Sequence, residues 1–136
     1  MRNFIKCAFS LVEGSCFGLR SFCADANNLP GIDHLDSDEL DYILEKQKWI
    51  KRDDVVKDSF KFFARVMNFH FILDCDKPGW PALTRSWLVR DRLAHPKKVE
   101  DLAVDEREVA DTHEGLQWFI GEADRLVKSP PKPFAA

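Results

Sequence analysis

The chain has no long uninterrupted apolar run, no Cys-x-x-Cys pair, no two histidines at metal-binding spacing and no useful stretch of alternating polar and apolar residues. Each absence excludes a class. A membrane-spanning helix needs roughly 20 consecutive apolar residues. A dedicated zinc or calcium site needs a denser ligand set than Asp74 with Asp76 in a loop. A sheet protein needs two-residue alternation, and the apolar residues here recur at helical intervals instead. No internal repeat is visible. A formal charge of -3, from 20 Lys and Arg against 23 Asp and Glu, argues against a general nucleic-acid coating protein, which relies on many basic contacts. Cys7, Cys16 and Cys23 fall on one predicted helix at spacings that a straight helix cannot close into disulfides, so they and Cys75 are expected as buried, reduced thiols.

What is present fits one helical core. At 136 residues and 45% hydrophobic content the chain is of single-domain size, and the pattern predicts an all-α, up-and-down bundle of four to five helices over 1–128 with a flexible Pro-rich tail over 129–136. The first helix is expected over Arg2–Ala24, with Ile5, Ala8, Val12, Ser15, Leu19 and Phe22 as its stripe and Phe4, Leu11, Cys16 and Cys23 widening it. Glu13 and Arg20 interrupt the apolar residues, which reads as a helix rather than a leader. Gly14 and Gly18 weaken that helix, and close approach of another helix would explain them.

Asp36 with Glu39 forms a capping-box signature for a second helix, stapled by Leu35 and Leu40 and buried through Ile43, Leu44, Gln47 and Ile50. A third helix starts near Asp53 and carries Val56, Phe60, Phe63, Val66 or Met67, and His70 inward. A loop at 74–79 precedes a fourth, with Pro81 in its first turn and Trp80, Leu83, Trp87, Asp91 and Ala94 as its stripe. The last helix starts at Asp105, boxed by Glu108, and buries Val109, Leu116, Phe119 or Ile120, Ala123 and Val127.

The charges are unevenly spread. Arg85, Arg90, Arg92, Lys97 and Lys98 face one acid, Asp91, across 85–98, whereas 100–114 holds seven acids against Arg107. The basic run is where a phosphate-bearing substrate would bind; two solvated faces of opposite sign would look the same.

Within the basic run stands Arg90-Asp91-Arg92-Leu93-Ala94-His95-Pro96. Pro96 pushes His95 out of helical geometry, to the end of the fourth helix. Asp91, four residues earlier, is spaced to accept a proton from the imidazole and fix its tautomer. Histidine suits proton transfer near neutral pH, and arginine presents a permanently charged planar fork to phosphate oxygens. Together they fit RNA cleavage through attack by the ribose 2′-hydroxyl, for which DNA lacks the nucleophile. Base and acid are both needed, so a two-fold dimer apposing two copies of Arg90 and His95 would complete the site. The plainer alternative is a surface Asp91–Arg92 pair and a His95 stabilised by the helix dipole. Arg92, Lys97 and Lys98 are candidate substrate contacts. His34, His70 and His113 are isolated. Trp49, Trp80, Trp87 and Trp118 suit core packing or a stacking platform, and Tyr42 is a possible phosphate or base contact.

Arg90-x-x-x-x-His95, with polar Asp91 after the arginine and Pro96 after the histidine, resembles the active motif of the HEPN superfamily, small helical proteins that include many metal-independent ribonucleases. The context is similar too: a long first helix over Phe4–Cys23, a central one over Phe60–Phe71, Trp80–His95 leading into the motif, and a last helix with Leu116-Gln117-Trp118-Phe119-Ile120. The resemblance implies a bundle dimerising around the motif, with Arg90 and His95 catalytic and Asp91 orienting or polarising the site. It further implies a cytoplasmic endoribonuclease without cofactor or metal, serving as a toxin of a toxin-antitoxin pair or in phage defence, with RNA as substrate and a nucleotidyltransferase-like antitoxin as a possible partner. Asp91 departs from the asparagine frequent at that position. Some members keep the helical dimer and have lost activity, which leaves a catalytically inactive dimerisation or partner-binding module as the alternative.

Overall fold

The computed structural model describes residues 1–31, 33–44 and 52–132. Among them are five α-helices: α1 (Arg2–Ala26), α2 (Ser37–Leu44), α3 (Arg52–Val66), α4 (Gly79–Ala94) and α5 (Glu106–Val127), with a 3-10 turn at Val99–Leu102 before α5. The chain is all-α, as the periodicity predicts; the described backbone holds one isolated bridge, Phe69 to Pro131, and no named strand. Gln47 and Ile50, expected on the inner side of the second helix, and Trp49 lie outside the described residues. The chain packs as two compact units, one formed by Met1–Gly14 with Asp74–Ala123 and the other by residues 15–73 with 124–136. Both α1 and α5 run through the division.

In the first unit the N-terminal half of α1 buries Ile5, Ala8, Phe9 and Val12. Phe9 meets Trp87 of α4 with ring centroids 5.3 Å apart. Helix α4 buries Ala82, Leu83, Ser86, Trp87, Val89 and Leu93, a face rotated away from the expected Asp91 and Ala94. Helix α5 buries Thr112, Gly115, Trp118, Phe119 and Glu122 here, while Ile120 is half exposed. Two glycines set how closely the pair packs. A Cβ on Gly115 would stand 2.6 Å from Leu83 Cα, and one on Gly79 would stand 2.1 Å from Trp118 Cβ. The loop before α4 is anchored on α5, since Glu122, though 2% exposed, accepts the Asp74 N–H at 2.7 Å and the Trp118 indole donates to the Asp74 carbonyl at 3.0 Å. A buried carboxylate therefore satisfies loop backbone that would otherwise lack a partner.

The second unit holds a cluster of Cys23, Ala26, Leu35, Ile43, Phe62 and Val66, with Leu40, Tyr42 and Phe63 packed on it. The capping boxes form as expected: the Glu39 N–H donates to Asp36 at 2.8 Å and the Asp36 N–H to Glu39 at 3.1 Å, and Asp105 with Glu108 repeats the exchange at the start of α5. Leu44, expected inward, is exposed. Helix α3 stops at Val66 because Asn68 takes the left-handed conformation, φ 56°, so His70 lies beyond the helix and is exposed. Its backbone N–H donates to the Pro130 carbonyl, and the Lys132 N–H donates to Asn68. Residues 130–132 are thus an extended segment docked on 68–70, not a free tail. Phe71 stacks on Phe60, and the Arg125 guanidinium sits 4.3 Å above its ring.

Helix α1 differs from its expected stripe. Cys16, Arg20 and Cys23 of its C-terminal half are buried, while Leu11 of its N-terminal half and Phe17 and Phe22 of its C-terminal half are exposed. Arg20 donates to the Ser59 hydroxyl at 3.0 Å, and desolvation lowers its pKa. Burial pushes the Cys23 thiol up to about 11, which keeps it protonated and unreactive. Cys7 is exposed, contrary to expectation. Close approach of a helix does not account for Gly14 or Gly18: among the described residues an added Cβ at either meets nothing within 4 Å.

The glycines therefore separate by role. Gly115→Ala forces Leu83 backbone apart and is expected to cost about 2–3 kcal/mol in urea unfolding, the range of overpacked core positions. Gly14→Ala fills open space on a helix and is expected to gain about 0.5–1 kcal/mol. Equal effects at the two positions would contradict this packing.

Candidate functional site

The end of α4 follows from its sequence. His95 is the C-cap at φ -131° and ψ 62°, and its backbone N–H still donates to the Asp91 carbonyl at 2.9 Å. Pro96 forbids a further turn. The side chain is exposed. The expected carboxylate–imidazole bond to Asp91 is not formed. The spacing that brings i and i+4 side chains together holds within a helix, and His95 has already left it. Asp91 Oδ1 instead accepts from Arg90 Nη1 at 3.1 Å.

Arg90 points toward α1. Its Nη2 lies 2.9 Å from Glu13 Oε1 and 3.1 Å from Oε2, so the guanidinium is held between Glu13 and Asp91, about one third exposed. Lys6, Ser10 and Glu13 of α1 together with Arg90 and Ala94 of α4 line an open groove of about 270 Å³. Ala94, which lines the groove, directly precedes His95 in the chain.

The other basic residues lie elsewhere. Two residues beyond Arg90 is about 200° around a helix, and Arg92 accordingly turns to the far side. There Nε donates to the Asp101 carbonyl at 3.0 Å, Nη2 to the Ala103 carbonyl at 2.6 Å, and Nη1 and Nη2 to the Glu108 carboxylate at 2.7 and 3.2 Å. Arg85 similarly makes two bonds to Asp111, at 3.0 and 2.9 Å. The Asp101 carboxylate accepts the backbone N–H groups of Lys97 and Lys98 at 2.8 and 3.2 Å, leaving both side chains exposed. Arg92 and Lys98 line a second, more open depression of about 340 Å³ with Glu100, Asp101, Ala103, Val104, Asp105 and Glu108. The expected basic surface is thus largely answered by the acidic run that follows it. Arg90 faces one side, Arg92 and Lys98 another, and the guanidinium of Arg92 is engaged as a structural clamp.

These pairings shift the carboxyls. The hydrogen bond from Arg92 holds Glu108 below the ordinary glutamate range, Arg85 does the same to Asp111, and the Lys97 and Lys98 backbone N–H groups lower Asp101. Among the remaining candidates, His34 bonds the Leu29 carbonyl at 2.9 Å and His113 stands 3.4 Å from Gln117. The Tyr42 hydroxyl donates to Asp58, and burial followed by Asp58 raises its pKa. Trp87 and Trp118 belong to the core, and the half-buried Trp80 packs on Trp118 at 5.3 Å. Among the described residues no three His, Cys, Asp or Glu side chains gather as metal ligands.

Lys6, Ser10 and Glu13 were not legible as site residues. Their signal is a polar row at i, i+4 and i+7 on an apolar helix, but their partner Arg90 is 77 positions from Glu13.

Removing the clamp has a defined pH signature. Arg92→Ala is expected to cost about 1–2 kcal/mol of unfolding free energy at pH 7, discounted for partial exposure. A depressed carboxyl contributes stability that is full above its unfolded pKa, about 4.3 for glutamate, and fades as pH falls through the lower folded value. Urea titrations between pH 6 and pH 3 should therefore show the wild type losing its advantage over Arg92→Ala as acid is added; a constant difference would exclude the linkage.

No protein-family model, curated protein or solved structure matches the chain.

Proposed function

We propose that the protein is a metal-independent endoribonuclease of the HEPN kind, working as a homodimer on an RNA substrate in the cytoplasm, as a toxin-antitoxin or phage-defence toxin. The observation that carries this reading is the exposed His95 at the end of α4, next to a groove into which Arg90 projects. Imidazole accessible to solvent and a guanidinium beside a cleft are the two groups that cleavage through the 2′-hydroxyl requires.

The chemistry follows in one step. His95 of one protomer takes the proton of the ribose 2′-hydroxyl as that oxygen attacks phosphorus. The bond from phosphorus to the 5′-oxygen breaks, and the second protomer's copy of His95 protonates the departing oxygen. The products are a 2′,3′-cyclic phosphate and a 5′-hydroxyl. Arg90 donates to the non-bridging oxygens, whose negative charge is greatest in the transition state. Asp91, bonded to Nη1, helps to orient the guanidinium. Lys97, exposed just beyond His95, extends the contact along the RNA backbone.

A second reading, an inactive helical dimer or partner-binding module, draws support from the two carboxylates that already face Arg90. The readings separate in one assay. With the purified wild type, cellular RNA is expected to be cut to cyclic-phosphate ends with EDTA present, and 2′-deoxy substitution at the cleaved position should stop the reaction. Arg90→Ala and His95→Ala should each lower the rate by at least about 100-fold, as loss of an acid–base or oxyanion group does, with helicity and sedimentation unchanged. Undiminished cutting by His95→Ala would rule the mechanism out, and a wild type that cuts nothing gives the second reading the field.

A further inference from the structure

The row Lys6, Ser10 and Glu13 has no part in a motif confined to α4, yet it forms the facing wall of the groove at Arg90. Building the row required three polar side chains on one side of a helix whose opposite side is apolar core. Helical spacing stacks them in a line about 10 Å long, two turns of rise, which is longer than the separation of successive phosphates along a nucleic-acid strand and so long enough to hold one phosphodiester unit beyond the reacting one. Their chemistry is graded along that line. Glu13, at one end, contacts Arg90 through both carboxylate oxygens. Ser10 offers a hydroxyl in the middle. Lys6, exposed at the far end, adds a mobile cation.

We propose that α1 supplies the second wall of an RNA-binding groove: Lys6 and Ser10 hold the phosphate next to the scissile one, and Glu13 is the positioning residue that aims Arg90. The assignment rests on the ribonuclease reading for the reacting phosphate and for the role of Arg90. It explains why a carboxylate stands in a groove meant for an anion. A long arginine side chain on an open groove has many rotamers, and fixing one of them before substrate arrives removes that entropy from the binding step. Glu13 on Nη2 and Asp91 on Nη1 hold the guanidinium from two directions.

The test separates the groove from the reaction. A 2′-O-methyl RNA oligomer has no nucleophile, so its binding by the full chain reports the groove alone. Lys6→Ala should weaken that binding about 3–10-fold and reduce the slope of log Kd against log salt by about 0.7, the contribution of one single-strand phosphate contact. Lys61→Ala, an exposed lysine on α3, makes the same change in net charge and should leave the slope unaltered. In cleavage assays Glu13→Ala should lower kcat about 10–100-fold with little change in KM, Glu13→Gln should recover most of it by retaining an acceptor for Arg90, and Glu13→Ala added to Arg90→Ala should cost nothing further. A salt slope that ignores Lys6, or a Glu13 effect additive with Arg90, overturns the inference even where RNA is cut. Binding that depends on Lys6 without any cleavage keeps the groove and removes the nuclease, and a wild type that neither binds nor cuts removes both.

Discussion

The packing of α4 against α5 decides what each arginine of this protein can do. Gly115 lets Leu83 approach where a single methyl group would collide with backbone, and the contact fixes α4 in rotation. Once it is fixed, Arg85 and Arg92 face the acids of α5 and Arg90 faces α1. Residues seven apart return to nearly the same side of a helix, whereas two residues apart are almost opposite. The rotation therefore sorts three arginines of one basic run into two structural clamps and one groove residue.

The sorting also explains the abrupt reversal of charge along the chain. The acids after residue 100 fold back as counter-charges to the bases before them: Asp111 for Arg85, Glu108 for Arg92, and Asp101 for the backbone donors at Lys97 and Lys98. Glu108 serves twice, since it also closes the capping box that starts α5. One carboxylate thus ties the entry of α5 to the last turns of α4. That leaves the turn carrying His95 and Pro96 bounded on both sides by fixed structure, with the imidazole itself exposed.

Elements were legible in the sequence where the signal is local. The capping boxes at Asp36 and Asp105 and the stop at Pro96 each depend on residues within four positions, and each formed. Faces were less legible, because helices that pack on two neighbours bury more than one stripe. Helix α1 buries Arg20 and exposes Leu11 and Phe22, which no hydropathy rule anticipates; Ser59 supplies an acceptor that makes Arg20 tolerable inside. The third helix looked longer than it is because His70 continues the helical spacing of Val56, Phe60, Phe63 and Val66, but the left-handed Asn68 breaks the backbone first. Arg90 and His95 could be named from spacing. Which arginine is engaged by protein and which faces a groove could not, since that depends on Glu13 and Glu108, remote in the chain and ordinary in composition.

The carboxylates beside Arg90 bear on whether a phosphate can compete for it. Each ion pair at this degree of exposure is worth about 0.2–1 kcal/mol, so displacing one of them weakens substrate binding by about five-fold at most. A polyanion approaching Lys6 and Lys97 as well gains several contacts at once, each releasing counterions. Charge neutralisation in the empty groove is thus a small barrier, while the orientation it gives the guanidinium persists until the transition state needs it. A fixed dipole or charge that requires no reorganisation during reaction is the main way proteins stabilise developing charge. The same pair that makes Arg90 look occupied is, energetically, compatible with an arginine held ready for an anion.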